Sequence, residues 1–305
     1  MSLSSIGTAI VEAFALIGLG FLLRVSRVAG QAEASALSKV VTYTALPALV
    51  FLSLHRASLR AEMVAIPVVG LAIGSIVFVI ASLVSSRMRS LSRGQRAPFI
   101  VASFGGNTGF LGYPIASALF GGAGLTYAIM YDIFATVALV MTIGIIVNVR
   151  ESEAEPLTVS TLVRDAARFP PVVAAILGVV LNGLPLPGLV VSLLERLSAA
   201  AIPVILIAVG LSLRPVVQTS YLLPAGIAAI LKLGLSPALA MLAGSVILSG
   251  PAHAVTVLQA GMPSMVMTYV LAERYGLDAE FASFLIVSSV CLSFVSLSVL
   301  GVAVV

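Results

Sequence analysis

The sequence predicts an all-α membrane protein: ten transmembrane helices arranged as two inverted five-helix repeats, with helices 4 and 9 broken in the middle. Three observations lead there. The chain of 305 residues is 60% hydrophobic and only 9% charged, against about 25% charged in soluble domains, and its mean hydropathy is +1.18. Apolar runs of membrane-spanning length, about 20 residues, recur along the chain, five before and five after its one long polar stretch. Two of these runs carry helix breakers at their centres. The first reads G-G-N-T-G-F-L-G-Y-P over Gly105 to Pro114; the second is L-Q-A-G-M-P-S-M over Leu258 to Met265.

Taken in order, helix 1 covers about Leu3 to Leu23 and contains Glu12. No basic residue precedes Arg24, so this run reads as a helix and not as a cleaved signal peptide. Helix 2 covers about Leu37 to Leu54 and carries Tyr43, Thr44 and Pro47. Helix 3 covers about Val64 to Val84 and is followed by a basic loop with Arg87, Arg89, Arg93 and Arg96. Helix 4 is the first broken one, inside a charge-free region from Ala97 to Tyr131. Helix 5 covers about Leu125 to Val149, with Asp132 near its start.

Arg150 to Arg168 is the polar stretch, a linker over residues 151–170 between a first repeat of residues 1–150 and a second of 171–305; Thr158 to Phe169 reads as an interfacial amphipathic helix. Helix 6, Val172 to Leu184, is short for a span. Helix 7 covers about Val190 to Leu213 with Pro203. Helix 8 covers about Leu222 to Leu248 with Lys232 and Pro237. Helix 9 is the second broken one, and helix 10 covers about Phe281 to Val304.

The halves resemble each other. A-L-P-A-L-V-F-L-S-L in helix 2 matches A-I-P-V-I-L-I-A-V-G-L-S-L in helix 7, and the spacing from Pro47 to Pro114 is close to that from Pro203 to Pro263. A repeat with an odd number of helices starts its second copy from the opposite side, so it is inverted. The basic residues fix the orientation. With the N-terminus outside, Arg24, Arg27, Lys39, Arg87, Arg89, Arg93, Arg96, Arg150, Arg164, Arg168, Arg214 and Arg274 are cytoplasmic, and only Arg56, Arg60 and Arg196 lie outside. The positive-inside rule therefore places both termini on the outer side.

Backbone broken at bilayer depth is stable only where protein buries it or a cavity hydrates it. Interrupted helices in corresponding halves are the pattern of secondary transporters. Each new half-helix starts with free N–H groups and a partial positive charge, which stabilise a carboxylate without a buried cation. With the half-helices placed after Pro114 and Pro263, the candidate substrate-binding residues are Asn107, Thr108, Tyr113, Pro114, Gln259, Met262, Pro263 and Ser264, with Tyr43 and Thr44 facing them from helix 2. The competing reading is that the polar groups only satisfy broken backbone.

Ionisable residues inside a membrane are functional candidates, here Glu12, Asp132 and Lys232. Asp132 fits a site that takes up a coupling proton, a partner for Lys232, or a residue at headgroup level. Lys232 fits that same pair or a side chain snorkelling to the surface. For Glu12, packing against a polar neighbour is favoured.

Other classes fit less well. One cysteine and two histidines leave no basis for a disulfide within the chain or for a Cys- or His-based metal site, and no cofactor is called for. The net charge of +4 is spread over short loops and reads as topology, not nucleic-acid binding. The absence of H-E-x-x-H and G-x-S-x-G argues against an intramembrane enzyme, and the lack of a charged ring argues against a channel.

At Asn107-Thr108-x-x-x-Gly112-x-Pro114, at Leu258-Gln259-Ala260-x-x-Pro263 with Leu271-Ala272-Glu273-x-Tyr275, and at Lys232-Leu233 with Pro237, the chain resembles the auxin efflux carrier family of plant PIN carriers and bacterial organic-acid carriers. The resemblance runs over essentially the whole chain, but the long cytoplasmic loop of the plant members is missing, as in bacterial-type members of the inner membrane. It implies a scaffold of helices 1, 2, 6 and 7 and a moving transport domain of helices 3–5 and 8–10, with helices 4 and 9 crossing. It further implies a small organic-anion substrate of auxin-like or malate- or malonate-like type, elevator-type alternating access and a homodimer in the lipid. A sodium- or proton-coupled carrier of bile-acid-transporter type, with the same architecture, is the alternative. Such antiporters place acidic residues at the crossing, and helix 4 here has none.

Overall fold

The computed structural model describes residues 3–60, 62–153, 160, 164, 167–213 and 218–304. Among them all regular structure is helical, apart from one isolated antiparallel bridge between Gly106 and Ser264. The readings that rest on Arg214 and on an amphipathic helix over Thr158 to Phe169 fall largely or wholly outside the described residues.

Helix α1 (Leu3–Val25) ends where Arg27 turns left-handed, φ 59°, letting the Val28 and Ala29 N–H groups reach back to the Leu23 carbonyl. α2 (Gln31–Tyr43) and α3 (Ala45–His55) form one rod bent at Thr44. Pro47 is the cause: it has no N–H for the Tyr43 carbonyl four residues back, and its ring crowds that turn. α4 (Glu62–Arg87) follows, then α5 (Arg93–Phe104), whose start is closed by the Gln95 side chain accepting the Ser92 N–H at 3.2 Å.

α6 (Gly112–Tyr131) is two helices joined at a sharp kink. Gly121, at φ 62° and ψ −150°, leaves the helical region and separates the end of predicted helix 4 from the start of helix 5. The second part runs on through two wide π turns, Asp132–Val137 and Val140–Gly144, into α7 (Ile145–Glu151). After the polar stretch come α8 (Pro170–Val180) and α9 (Gly188–Ser212). α10 (Leu222–Ala229) continues through a third π turn, Ile230–Leu235, into α11 (Ser236–Ile247). α12 (Gly250–Ala260) and α13 (Met267–Arg274) are the halves of predicted helix 9, and α14 (Ala279–Val304) closes the chain.

Six helical stretches among the described residues are long and apolar enough to cross a membrane, and α8 is a shorter apolar helix. The chain is therefore read as a multi-pass membrane protein. Two sets of close helix contacts stand out, joined by contacts of α1 with α6 and α14 and of α3 with α6. α1 lies along α9, and α3 lies on α8 and α9. In the first pair the backbones touch: a Cβ on Gly20 would lie 2.1 Å from the Ile207 carbonyl oxygen, and one on Gly210 would lie 1.9 Å from that of Ile17. Small residues permit such approach between membrane helices. Asn182, in the turn after α8, donates to the carbonyls of Leu54, His55 and Ala57 at 2.7–3.0 Å, which satisfies the end of α3. In the other set α4 packs on α5, α6, α11 and α12, while α5 packs on α10, α13 and α14.

Candidate functional site

α5 stops at Phe104 and the chain runs non-helically to Gly112. α12 stops at Ala260, because Pro263 has no donor for the Gln259 carbonyl and disfavours helix at Met262 before it. The two interruptions meet. Asn107 N donates to the Pro263 carbonyl at 2.6 Å, and Met265 N to the Gly105 carbonyl at 3.1 Å. Backbone groups left over by each break thus find partners in the other, which is what a low-dielectric interior demands.

Side chains complete the junction. Ser264 Oγ donates to the Ala102 carbonyl at 2.8 Å, and Ser264 N to Ser289 Oγ at 3.0 Å. Gln259 Nε2 donates to the carbonyls of Thr108 and Ala128 at 3.2 and 3.3 Å. Asp132 accepts from the Thr108 hydroxyl at 2.5 Å on one oxygen and from the Tyr113 hydroxyl at 2.6 Å on the other. Lys232 Nζ donates to the Ala260 carbonyl. All of these side chains are buried.

The glycines of the first break explain how three outside side chains come so near. A Cβ would lie 2.9 Å from Lys232 Cε at Gly106, 3.0 Å from Asp132 Oδ2 at Gly109 and 2.0 Å from Gln259 Oε1 at Gly112. Three buried polar atoms here have no partner: Asn107 Nδ2, Gln259 Oε1 and Thr268 Oγ1. In chemical terms the junction offers a free amide donor, a free carbonyl acceptor and a free hydroxyl beside one carboxylate and one ammonium.

Of the residues singled out in the sequence, Asn107, Thr108, Tyr113, Gln259, Met262, Pro263, Ser264, Asp132 and Lys232 gather at this junction. Four expectations need correction. Pro114 does not open the break: it is the third residue of α6, where the N–H it lacks has no intrahelical partner anyway, and Pro263 meets Asn107 and not Pro114. Asp132 and Lys232 do not pair, since the acid is held by hydroxyls and the ammonium by a carbonyl. Both are buried, 6% and 1% exposed, so the Lys232 side chain does not snorkel to the surface. Tyr43 is 67% exposed, Thr44 turns its hydroxyl to the Val40 carbonyl at 2.6 Å, and Glu12 lies on an exposed face of α1 and not packed inside the bundle.

Sequence reasoning missed Thr268, in the first turn of α13, for which no pattern gave a signal. It also missed the π turns that begin at Asp132 and enclose Lys232. Single π turns recur at functional sites. A cavity of about 890 Å³ lies away from the junction. It opens between the end of α3 with Arg56, the first half of α9 with Glu195, and the starts of the segments after Gly121 and before α12, with Thr126 and Ser249. Arg56 and Glu195 form an ion pair across its wall at 2.6 Å, half exposed.

The family model described as "Membrane transport protein" matches residues 5–300. The chain belongs to this family. It is the family of auxin efflux carriers that the two break motifs resemble. Among curated relatives, an uncharacterized transporter of Methanothermobacter thermautotrophicus is 37% identical over 293 residues, 94% of this chain and 95% of the relative. An uncharacterized transporter of Methanocaldococcus jannaschii is 31% identical over 277 residues, 87% of this chain and 88% of the relative. The family match runs through both breaks.

Proposed function

We propose that the protein is a secondary transporter that carries a small organic anion by elevator-type alternating access, with the junction of the two breaks as its substrate site. The observation that carries this reading is the pairing of residues 105–107 with 263–265 around an unpartnered, buried amide, Asn107 Nδ2. A donor left without a partner costs about 1–3 kcal/mol, and a ligand carboxylate is the acceptor that fits it. The α13 N-terminus adds the partial positive charge of a helix start, and Lys232 adds charge. Asp132, bridged to the break through Thr108 and Tyr113, is the group suited to take up a coupling proton.

In this reading α1–α3, α8 and α9 are the fixed scaffold, and α4–α7 with α10–α14 move. The close packing of α1 on α9 and of α3 on α8 and α9 supports that division, and so does the cavity between the two sets, on the side that the positive-inside rule makes the outer one. Ten spans follow when α5 with the start of α6 counts as one and α12 with α13 as another. The first half of α9 is exposed along its length, with Leu189 75% and Leu193 54% exposed, and this surface suits a homodimer within the membrane.

The test is melting of the purified protein against a panel of mono- and dicarboxylates, including malate, malonate and indole-3-acetate. Binding to the folded state alone raises apparent stability, by about 2.7 kcal/mol at a hundredfold excess over Kd. A carboxylate that raises the melting temperature and shows saturable counterflow in liposomes supports the reading; a panel without response overturns it. Cysteines at Ser2 and Val304 in a Cys291→Ser background test the topology: both react with an impermeant reagent from outside if the count is even.

A further inference from the structure

Lys232 holds a position unusual for a lysine. It is 1% exposed, in the π turn between α10 and α11, and its ammonium donates to the carbonyl of Ala260, the last residue of α12. The end of a helix carries unpaired carbonyls and a partial negative charge. The neighbouring carbonyls of Val257, Leu258 and Gln259 accept from Gly261 and Met262, so Ala260 is left for Lys232. The same spot borders the other break. A Cβ on Gly106 would lie 3.1 Å from Lys232 Nζ and 3.4 Å from the Met262 carbonyl oxygen. Only with glycine there do ammonium, carbonyl and break share one space. Among the described residues no carboxylate forms an ion pair with Lys232, and the one acid at the junction, Asp132, is taken up by Thr108 and Tyr113.

An unpaired positive charge among backbone carbonyls at the end of an interrupted helix is the arrangement in which cation-coupled carriers hold sodium. We propose that the Lys232 ammonium is a tethered cation: it fills the ion position of the junction permanently, so this carrier's competent state requires no free sodium. The proposal rests on reading the junction as a transporter's site. It sets that site apart from sodium-coupled carriers of the same architecture, in which the position is empty until an ion arrives.

The experiment compares melting of purified wild type, Lys232→Ala and Lys232→Met in choline chloride, sodium chloride and ethylammonium chloride at equal ionic strength. The wild type is expected to melt at one temperature in all three. Lys232→Ala should melt lower in choline and regain at least about 3 °C, saturably, in sodium or ethylammonium. Lys232→Met, whose side chain fills the space without charge, should melt lower in all three and regain nothing. A sodium-specific rise in the wild type overturns the proposal, as does a Lys232→Ala protein indifferent to every cation. Should Lys232→Ala not fold in any salt, Lys232→Gln is judged by the same criterion. No carboxylate enters this measurement, so a silent carboxylate panel would overturn the anion reading and leave this result standing.

Discussion

The two breaks do the same job with opposite means. The second, residues 261–266, is made by one proline, and its polar side chain is spent on structure: Ser264 ties the end of α5 through Ala102 and meets Ser289 of α14. The first, residues 105–111, is made by glycines and holds its shape through side chains that reach in from elsewhere, Lys232 at Gly106, Asp132 at Gly109 and Gln259 at Gly112. Its own amide, Asn107 Nδ2, is left without a partner. The comparison teaches which half does what. The second break is a template fixed by its own sequence, whereas the first is a backbone shaped by side chains from elsewhere whose own amide has no partner; in the proposed function that amide meets the ligand.

The largest effect is expected at Gly112. A methyl group there runs into Gln259, which is fully buried and bonded at Thr108 and Ala128, so the amide must give up those contacts. Gly112→Ala should destabilise by about 1–3 kcal/mol, read as a lower melting temperature. Gly261→Ala in the second break meets only the end of the Leu300 side chain, which can turn aside, and should cost less. Adding Gln259→Ala to Gly112→Ala should recover part of the loss, because the collision disappears; a fully additive double variant would show that the two do not touch.

Next in size is the difference between the prolines. Pro263→Ala restores an N–H and lets α12 run toward α13, consuming the carbonyl that Asn107 N now uses. Transport in liposomes should fall at least about tenfold, a barrier change of about 1.4 kcal/mol. Pro114→Ala restores an N–H that has no intrahelical acceptor in the first turn of α6 and should transport within about twofold of wild type. Equal losses from both would put Pro114 back among the break-makers.

That correction shows what was legible in the sequence. Glycine and proline announce a break wherever they cluster, so both interruptions and their meeting residues Asn107, Pro263 and Ser264 were readable. Position within the new helix was not, because proline is harmless in a first turn and disruptive two turns on. The π turn at Lys232 has a cause in Pro237, which has no N–H for the Leu233 carbonyl and shifts the ladder. The turn at Asp132 has no such marker, and with it went the direction of the Asp132 carboxylate. Asp132 and Lys232 stood out as ionisable residues within apolar runs, but their burial and their partners depend on which face of a continuous apolar helix meets the break. The uniformly hydrophobic spans carry no such information. For the same reason Tyr43 and Thr44 were assigned to the site although α2 leaves them exposed.

The predictions with the smallest effect on stability separate the breaks most sharply, through two side chains that each lose only a hydrogen bond. Asn107→Ala removes a donor that has no partner in the ligand-free protein, so the melting temperature should barely change. A carboxylate identified in the panel should bind about tenfold to a hundredfold more weakly, the value of one hydrogen bond to a charged group at about 1.5–3 kcal/mol. Ser264→Ala does the reverse. Its hydroxyl donates to the Ala102 carbonyl, in the last turn of α5, where the carbonyls have no further helix to accept. Losing it leaves a buried acceptor unsatisfied and should cost about 1 kcal/mol of stability. Affinity for the same carboxylate should stay within about twofold, because Ser264 N keeps Ser289 Oγ and the backbone pairing of the breaks remains in place. Isothermal titration and melting on the two variants decide the matter. If Ser264→Ala weakens the carboxylate and Asn107→Ala does not, the second break is the one that holds the ligand, and the assignment of template and receptor is reversed.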